Sequence, residues 1–239
     1  MPLIFSHFEG HPDLIYGFSD RGEGSMHRHF EKSNRERYFR KIGIAPDHVV
    51  TANLAHGANV AKVSEGVAGT MISDTDGLVT GTKNLFLSAT SADCFLLYFY
   101  DPAKKAVGIA HGGWRGVLVG IVGNTVSAFE KNFHIDPKDL LVGVAPGIRE
   151  CHFEIRPDHK KDFGAYAKHI SLKNGKVFVN LSGIIIEQLR DAGILREHIE
   201  DSGICTHCET EKYFSYRRDK PEVPHLMIGY IGLRDRDEH

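Results

Sequence analysis

The alternation of apolar and polar positions predicts more strands than helices along this chain. "DLIYGFSDR" alternates as a half-buried strand does, and "HVVTANLAHGANVAKV" mixes polar and apolar positions as a strand pair broken near His56 and Gly57. Between them the charged stretch "EKSNRERYFRKIG" predicts a helix. "DGLVTG" is a short strand bounded by Gly77 and Gly81, and "LFLSATSADCFLLYFYD" predicts one or two strands ended by Asp101 and Pro102. "AVGIAH" is another strand. After "HGGWRG" the period changes: Val117, Leu118, Ile121, Val122, Val126 and Phe129 recur at helical spacing, which predicts an amphipathic helix over 117–132. "DLLVGVAPGI" reads as a strand entering a turn, "PDHKKDFGAYAKHI" as a helix opened by Pro157, and "KVFVNL" as a strand. "SGIIIEQLRDAG" reads as a helix stopped by Gly193, "HIEDSGICTHC" as a strand in part, and "HLMIGYIGL" as the last strand. Strands outnumber helices and many are consecutive. The pattern therefore predicts an α+β fold, a layered sandwich of mixed sheets flanked by helices, rather than an alternating parallel sheet. No repeat, low-complexity tract or linker interrupts it, so residues 1–239 are expected to form a single domain.

Composition narrows the class. The 239 residues are 41% hydrophobic and 25% charged, enough for a sizeable core without staples. The formal net charge of −2 offers no basic field for nucleic acid. No apolar run approaches the roughly 18 residues of a membrane span, and the N-terminus shows no basic segment leading into an apolar one. The four cysteines, Cys94, Cys151, Cys205 and Cys208, are too few and too scattered for a disulfide framework. They fit the reducing cytoplasm, where a monomer or weak homo-oligomer is expected. Fifteen histidines are a weak hint of metal chemistry; His27, His29, His159, His169, His198 and His239 sit in polar surroundings and read as solvated.

Candidate chemistry centres on Cys94, His111 and His56. Cys94 opens the apolar run "CFLLYFY", and His111 ends "AVGIAH". If these strands are antiparallel neighbours joined through "DPAKKA", the thiol and the imidazole meet at one sheet edge, within reach of one ion. His56 in "LAHGAN" is the third candidate, with Gly57 letting the backbone turn sharply beside it. A cysteine and two histidines are zinc ligands, and three protein ligands leave the fourth position of a catalytic site open. Copper accepts a similar nitrogen–sulfur set. Spacing alone does not choose between this and a small buried hydrophobe at Cys94 with turn residues at His111 and His56.

Other positions carry alternatives too. Exposed N–H groups at the helix start after "HGG", beside Arg115, fit an anion site or a plain strand–turn–helix joint. Trp114, the single tryptophan, fits an aromatic stacking surface or a core cover. Asp93 fits a loop cap or a proton-transfer group beside Cys94. In "YFSYRRD", Arg217 and Arg218 fit a phosphate or purine contact, or a solvated basic turn. "CTHC" (Cys205 to Cys208) lacks the second pair that a structural zinc site needs and the helix that a thioredoxin-like pair needs, so neither role is expected of it. "MHRHF" offers one histidine pair, where multicopper oxidases need several.

Taken in order, "DGLVT", "SADCFLLYFYDP", "AHGGWRG", "APGI", "VNL", "CT" and "FSYRRD" resemble the YfiH family, with fainter similarity in "FSDRGEGSM" and "NRERYF". That family is described as a polyphenol oxidase or laccase domain, and as a purine nucleoside phosphorylase with adenosine deaminase activity. The resemblance implies a compact fold with a sheet sandwich, a zinc ion held by His56, Cys94 and His111, and purine nucleosides and phosphate as substrates. The chain departs from the family pattern where a "QVH" motif is usual and Leu54, Ala55 and His56 stand here. It is also shorter near the N-terminus. Both departures bear on substrate specificity more than on the metal site.

On this reading Arg115 or Arg217, with the glycine-turn N–H groups, holds phosphate, Trp114 contacts the base, and Asp93 transfers a proton. Two rivals remain at this level. A metal-free hydrolase or deamidase would use Cys94 as nucleophile and His111 as base, and a non-catalytic factor in cell-wall metabolism would turn over no nucleoside.

Overall fold

The computed structural model describes residues 3–27 and 32–235. Its centre is a pair of packed sheets. The five-stranded sheet runs Leu14–Phe18, Met227–Leu233, Phe86–Ser91, Val49–Asn53 and Met71–Ser73. The six-stranded sheet runs Ile199–Asp201, Leu141–Val144, Phe95–Asp101, Ala106–Gly112, Gly77–Thr80 and Val60–Lys62. Glu154–Ile155, Lys176–Val179 and Ile170–Lys173 form a separate three-stranded sheet, whose Val179 joins the core behind the six-stranded one. Both large sheets mix parallel and antiparallel pairs, as the α+β expectation required.

The strand "FLLYFYD" shows why a continuous apolar run sits here. Every residue of it is buried. Leu96, Tyr98 and Tyr100 point toward the five-stranded sheet, into a core shared with Leu87, Ala89 and Ile231. Phe95, Leu97 and Phe99 point the other way, against Val122, Val126 and Phe129 of the Ile121–Phe133 helix and Ile185 and Leu189 of the Leu181–Asp191 helix. A strand with both faces covered loses the alternation of a half-exposed one. The Tyr98 hydroxyl keeps a partner by donating to the Gly17 carbonyl at 2.8 Å.

Three sequence expectations change. The two halves of "HVVTANLAHGANVAKV" are strands but not a pair: Val49–Asn53 belongs to the five-stranded sheet and Val60–Lys62 to the six-stranded one. The segment carrying His56 is the crossover between sheets. The helix read over 117–132 is two: Trp114–Leu118, then Ile121–Phe133, broken at Gly120, whose φ of 100° no helix contains. Residues 157–169 form a chain of 3-10 turns with non-helical backbone at Phe163 and Tyr166. The polar segment buries only Phe163, too little to hold a continuous α-helix against a core.

Candidate active site

Antiparallel pairing of Phe95–Asp101 with Ala106–Gly112 sets Phe95 opposite Gly112 and Leu96 opposite His111. Cys94, one residue before its strand, therefore lies diagonally across from His111. The crossover after Val49–Asn53 brings in His56. Ligand atoms of His56, Cys94 and His111 all lie within 4.8 Å of one another, and the two imidazoles meet edge to face with centroids 5.0 Å apart. Gly113 lies directly beneath them: a Cβ there would sit 3.1 Å from His111 Cε1 and 3.2 Å from Cys94 Sγ. The second glycine of "HGG" thus leaves room for the cluster.

The crossover turns at His56 itself, not at Gly57 as the sequence suggested. His56 has a φ of 58°, in the left-handed region that non-glycine residues seldom adopt. Asp76 holds it there. One carboxylate accepts the consecutive N–H groups of Ala55, His56 and Gly57 at 3.1, 3.0 and 2.9 Å, a small backbone nest around an anion. The same carboxylate lies 3.0 Å from His111 Nδ1. Asp76 is fully buried. Burial pushes its carboxyl up, but the bonds from His111, Gly57 and Ala55 outweigh this and hold it below its usual range. Asp76 thus fixes the backbone of one histidine and the ring of the other, and leaves His111 Nε2 to face the cluster. Sequence reasoning gave Asp76 no role; the signal that could have found it is the motif "DGLVT", which it opens.

The two histidines titrate in opposite directions. Burial and the neighbouring His111 push His56 down, so it is neutral at pH 7. Burial also pushes His111 down, but Cys94 and Asp76 reverse this and raise it to about 9. The residues fit a metal ion. The donor set is two imidazoles and a thiol, a buried carboxylate orients one imidazole, and no chain residue among those described completes the set to four.

The trio lines a cavity of about 570 Å³, also walled by Trp114, Arg115, Phe153, Tyr216 and Arg217. This is within the usual range for small-molecule sites. Arg115 is exposed, with its guanidinium 4.3 Å from the Trp114 ring centroid. The Trp114 ring also packs on Phe163, so it serves both wall and core. Arg217 donates from Nη1 to the carbonyls of His152 and Glu154. Arg218 is tied to Asp219 and to the carbonyls of Thr206, His207 and Tyr213; only Arg217 of the pair lines the cavity.

Asp93 is held in place by three hydrogen bonds. It has a φ of 81°, and its carboxylate accepts from Thr206 Oγ1 at 2.7 Å, Ser215 Oγ at 3.0 Å and the Arg217 N–H at 2.7 Å. Of the sequence's two readings, the loop clamp matches these bonds. His27 lines the same cavity, while its companion His29 lies outside the described residues. His159 and His169, read as solvated, pair with Asp162 and Glu187. "CTHC" does acquire partners: Cys151 and His152 come up against Cys205 and Cys208. Adjacent ligands some fifty residues away are not visible as a second CxxC.

The sequence model of a family described as multi-copper polyphenol oxidoreductase laccase matches residues 27–234. The chain belongs to this YfiH-type family. Within the family, the purine nucleoside phosphorylase YlmD of Geobacillus stearothermophilus is 31% identical over 218 residues, 85% of this chain and 78% of that protein. The purine nucleoside phosphorylase YfiH of Escherichia coli is 30% identical over 206 residues, 84% of this chain and 80% of that protein. The crystal structure of the Bacillus licheniformis hypothetical protein YfiH has a TM-score of 0.88 at 27% identity, covering 98% of this chain and 96% of that one. No helix among the described residues is long and apolar enough to cross a membrane.

Proposed function

We propose that this family member is a metal-dependent purine nucleoside phosphorylase that also deaminates adenosine. The observation that carries the proposal is the shared cavity, lined by the three-ligand cluster, by Trp114 and by three arginines, Arg35, Arg115 and Arg217. The names of the YlmD and YfiH relatives point the same way. His56, Cys94 and His111 would hold the metal, with zinc favoured by the donor types. When bound, zinc supplies Lewis acidity, which polarises bound groups and draws protons from water.

The chain's own residues do the rest. Trp114 and Phe153 give the cavity flat apolar walls against which a purine stacks. Arg115 and Arg217 supply cationic donors for phosphate. In phosphorolysis the bond between ribose C1′ and the purine nitrogen breaks, and a bond from C1′ to a phosphate oxygen forms. The proton of hydrogen phosphate ends on the released purine. In deamination water adds at C6 of adenosine and ammonia leaves. Asp93 keeps the corner before Cys94 and the Arg217 backbone in register, taking the clamp role in place of proton transfer. Asp76 keeps both histidines in place.

The test is metal analysis of the purified protein, then adenosine and inosine with and without phosphate, with products separated by mass. Free base and ribose 1-phosphate are expected only with phosphate, and inosine from adenosine without it. A protein that turns over neither nucleoside with its metal bound would overturn the proposal. Full activity in metal-stripped wild-type protein, lost both on alkylation of Cys94 and in His111→Ala, would favour the cysteine-nucleophile rival instead.

A further inference from the structure

The fold brings together a second set of metal-type ligands, remote in sequence and sharing no residue with the trio. Cys151 and His152 follow the turn after the Leu141–Val144 strand, and Cys205 and Cys208 lie in the loop after Ile199–Asp201. Cys151 Sγ is 3.6 Å from Cys205 Sγ and 3.8 Å from Cys208 Sγ. His152 Nδ1 is 3.3 Å from the sulfurs of Cys151 and Cys208. All four ligand atoms lie within 4.8 Å of one another, and all three cysteines are free thiols.

Those four spacings match the edge lengths of a coordination tetrahedron. Ligands about 2.3 Å from a central zinc stand about 3.8 Å apart. Three thiols and an imidazole packed this closely, with no carboxylate among them, form the soft donor set that selects zinc among common divalent cations. The Arg149 N–H points at Cys205 Sγ from 3.4 Å, a contact that stabilises a thiolate. The His152 ring is held by stacking on His207, with centroids 3.8 Å apart. Cys205 is buried, while Cys151 and Cys208 reach the surface and give an ion a way in.

We propose that Cys151, His152, Cys205 and Cys208 form a closed structural zinc site that clasps the 147–153 turn to the 204–208 loop. Four protein ligands leave no open position, so the site holds structure and does no chemistry of its own. Its location gives it consequences for the cavity. Besides the ion, the two segments are joined by the Gly147 to Cys205 β-bridge, the hydrogen bonds beside it, the His152–His207 stack and the bonds of Arg149 to Ile204 and Asp201. Thr206, between the ligands, holds Asp93. The carbonyls of His152 and Glu154, on the other segment, receive Arg217. The clasp therefore positions the cavity rim that carries Arg217. The proposal concerns metal content and stability and stands whether or not the cavity acts on nucleosides.

The test counts metal per chain by mass spectrometry in protein expressed with added zinc and purified under reducing conditions. About two zinc equivalents are expected in the wild type, one for each set of ligands. His111→Ala should keep the clasp ion and lose the other. Cys208→Ala should do the reverse, and His152→Cys should keep both, because four thiolates hold zinc as well. In the His111→Ala background, cobalt substitution should give the charge-transfer absorption of a multi-thiolate tetrahedral site. Should Cys208→Ala fail to fold, titrating wild-type thiols with an organomercurial while reading released zinc with a chromogenic chelator supplies the same count. No zinc in His111→Ala protein, copper in its place, or Cys151 and Cys205 recovered as a disulfide under those conditions would overturn the proposal.

Discussion

The two clusters of cysteine and histidine differ in what surrounds them more than in what they contain. The His56, Cys94 and His111 trio sits at a cavity wall. Its backbone is fixed by paired strands and by the fully buried Asp76. The Cys151, His152, Cys205 and Cys208 quartet sits on two turns joined by one β-bridge, an Arg149–Asp201 ion pair and a histidine stack, and it offers four ligands of its own. A rigid scaffold can hold three ligands and leave one position open for a reactant; loops gain their order from an ion that they fully enclose. Ligand number, and whether the scaffold or the ion does the ordering, separates a site suited to chemistry from one suited to structure.

The sharpest way to break this contrast is to remove one ligand from each. His111→Ala should lower kcat/KM for nucleosides by about 10³-fold or more, the scale of losing a principal charge-stabilising group. It should also lower thermal stability, because the buried Asp76 carboxylate loses its imidazole partner. If turnover survives, the trio is not the reactive cluster. Asp76→Asn keeps every ligand but weakens their orientation, and should cost about 10- to 100-fold in affinity of the trio for zinc, measured by chelator competition. An unchanged affinity would mean that the nest and the His111 contact are incidental.

Cys208→Ser should move the other observable. Calorimetry should show the midpoint falling by on the order of 5–10 °C, as expected when a few kcal/mol of metal-linked stability leave a domain of this size. Turnover should fall far less than in His111→Ala. Equal losses of activity in the two variants would collapse the distinction. The pH dependence sharpens it further. Without metal His111 keeps its proton up to about 9, so below that pH zinc must displace a proton to bind. His111 and the Cys94 thiol each give up a proton to the ligand role, so affinity of the trio should fall by about tenfold or more for each unit of acidification through the neutral range. A flat profile in calorimetric titrations would exclude His111 as a ligand. The smallest effect is expected for Arg115→Ala, an exposed cation on the rim: a rise of about fivefold in KM for phosphate with kcat nearly unchanged, from loss of one charge-assisted contact. A fall in kcat alone would place Arg115 in the chemical step instead.

Much of the fold was legible in the chain because burial leaves a strong mark. The runs "CFLLYFY" and "AVGIAH" announced two strands, and the first proved to be covered on both faces. Their short connection made antiparallel pairing, and hence the meeting of Cys94 and His111, a matter of simple geometry. Less legible were elements whose conformation depends on a distant partner. The 157–169 segment carries helical-looking spacing but buries a single side chain, so local pattern overstated it. The turn at His56 gave no glycine-type signal at the residue that adopts it, because the conformation is imposed by Asp76 from twenty positions away.

The sequence by itself determined the strand-rich α+β class, the family and the residue types able to meet a metal. Each follows from local pattern or from motifs in order. Only the tertiary structure decided that Asp76 governs both histidines, that Asp93 is clamped by Thr206, Ser215 and Arg217, and that "CTHC" finds its missing pair in Cys151 and His152. The reason is physical: a hydrogen bond or a coordination sphere acts over about 3–4 Å in space, while the residues that make it leave no correlated pattern along a single chain.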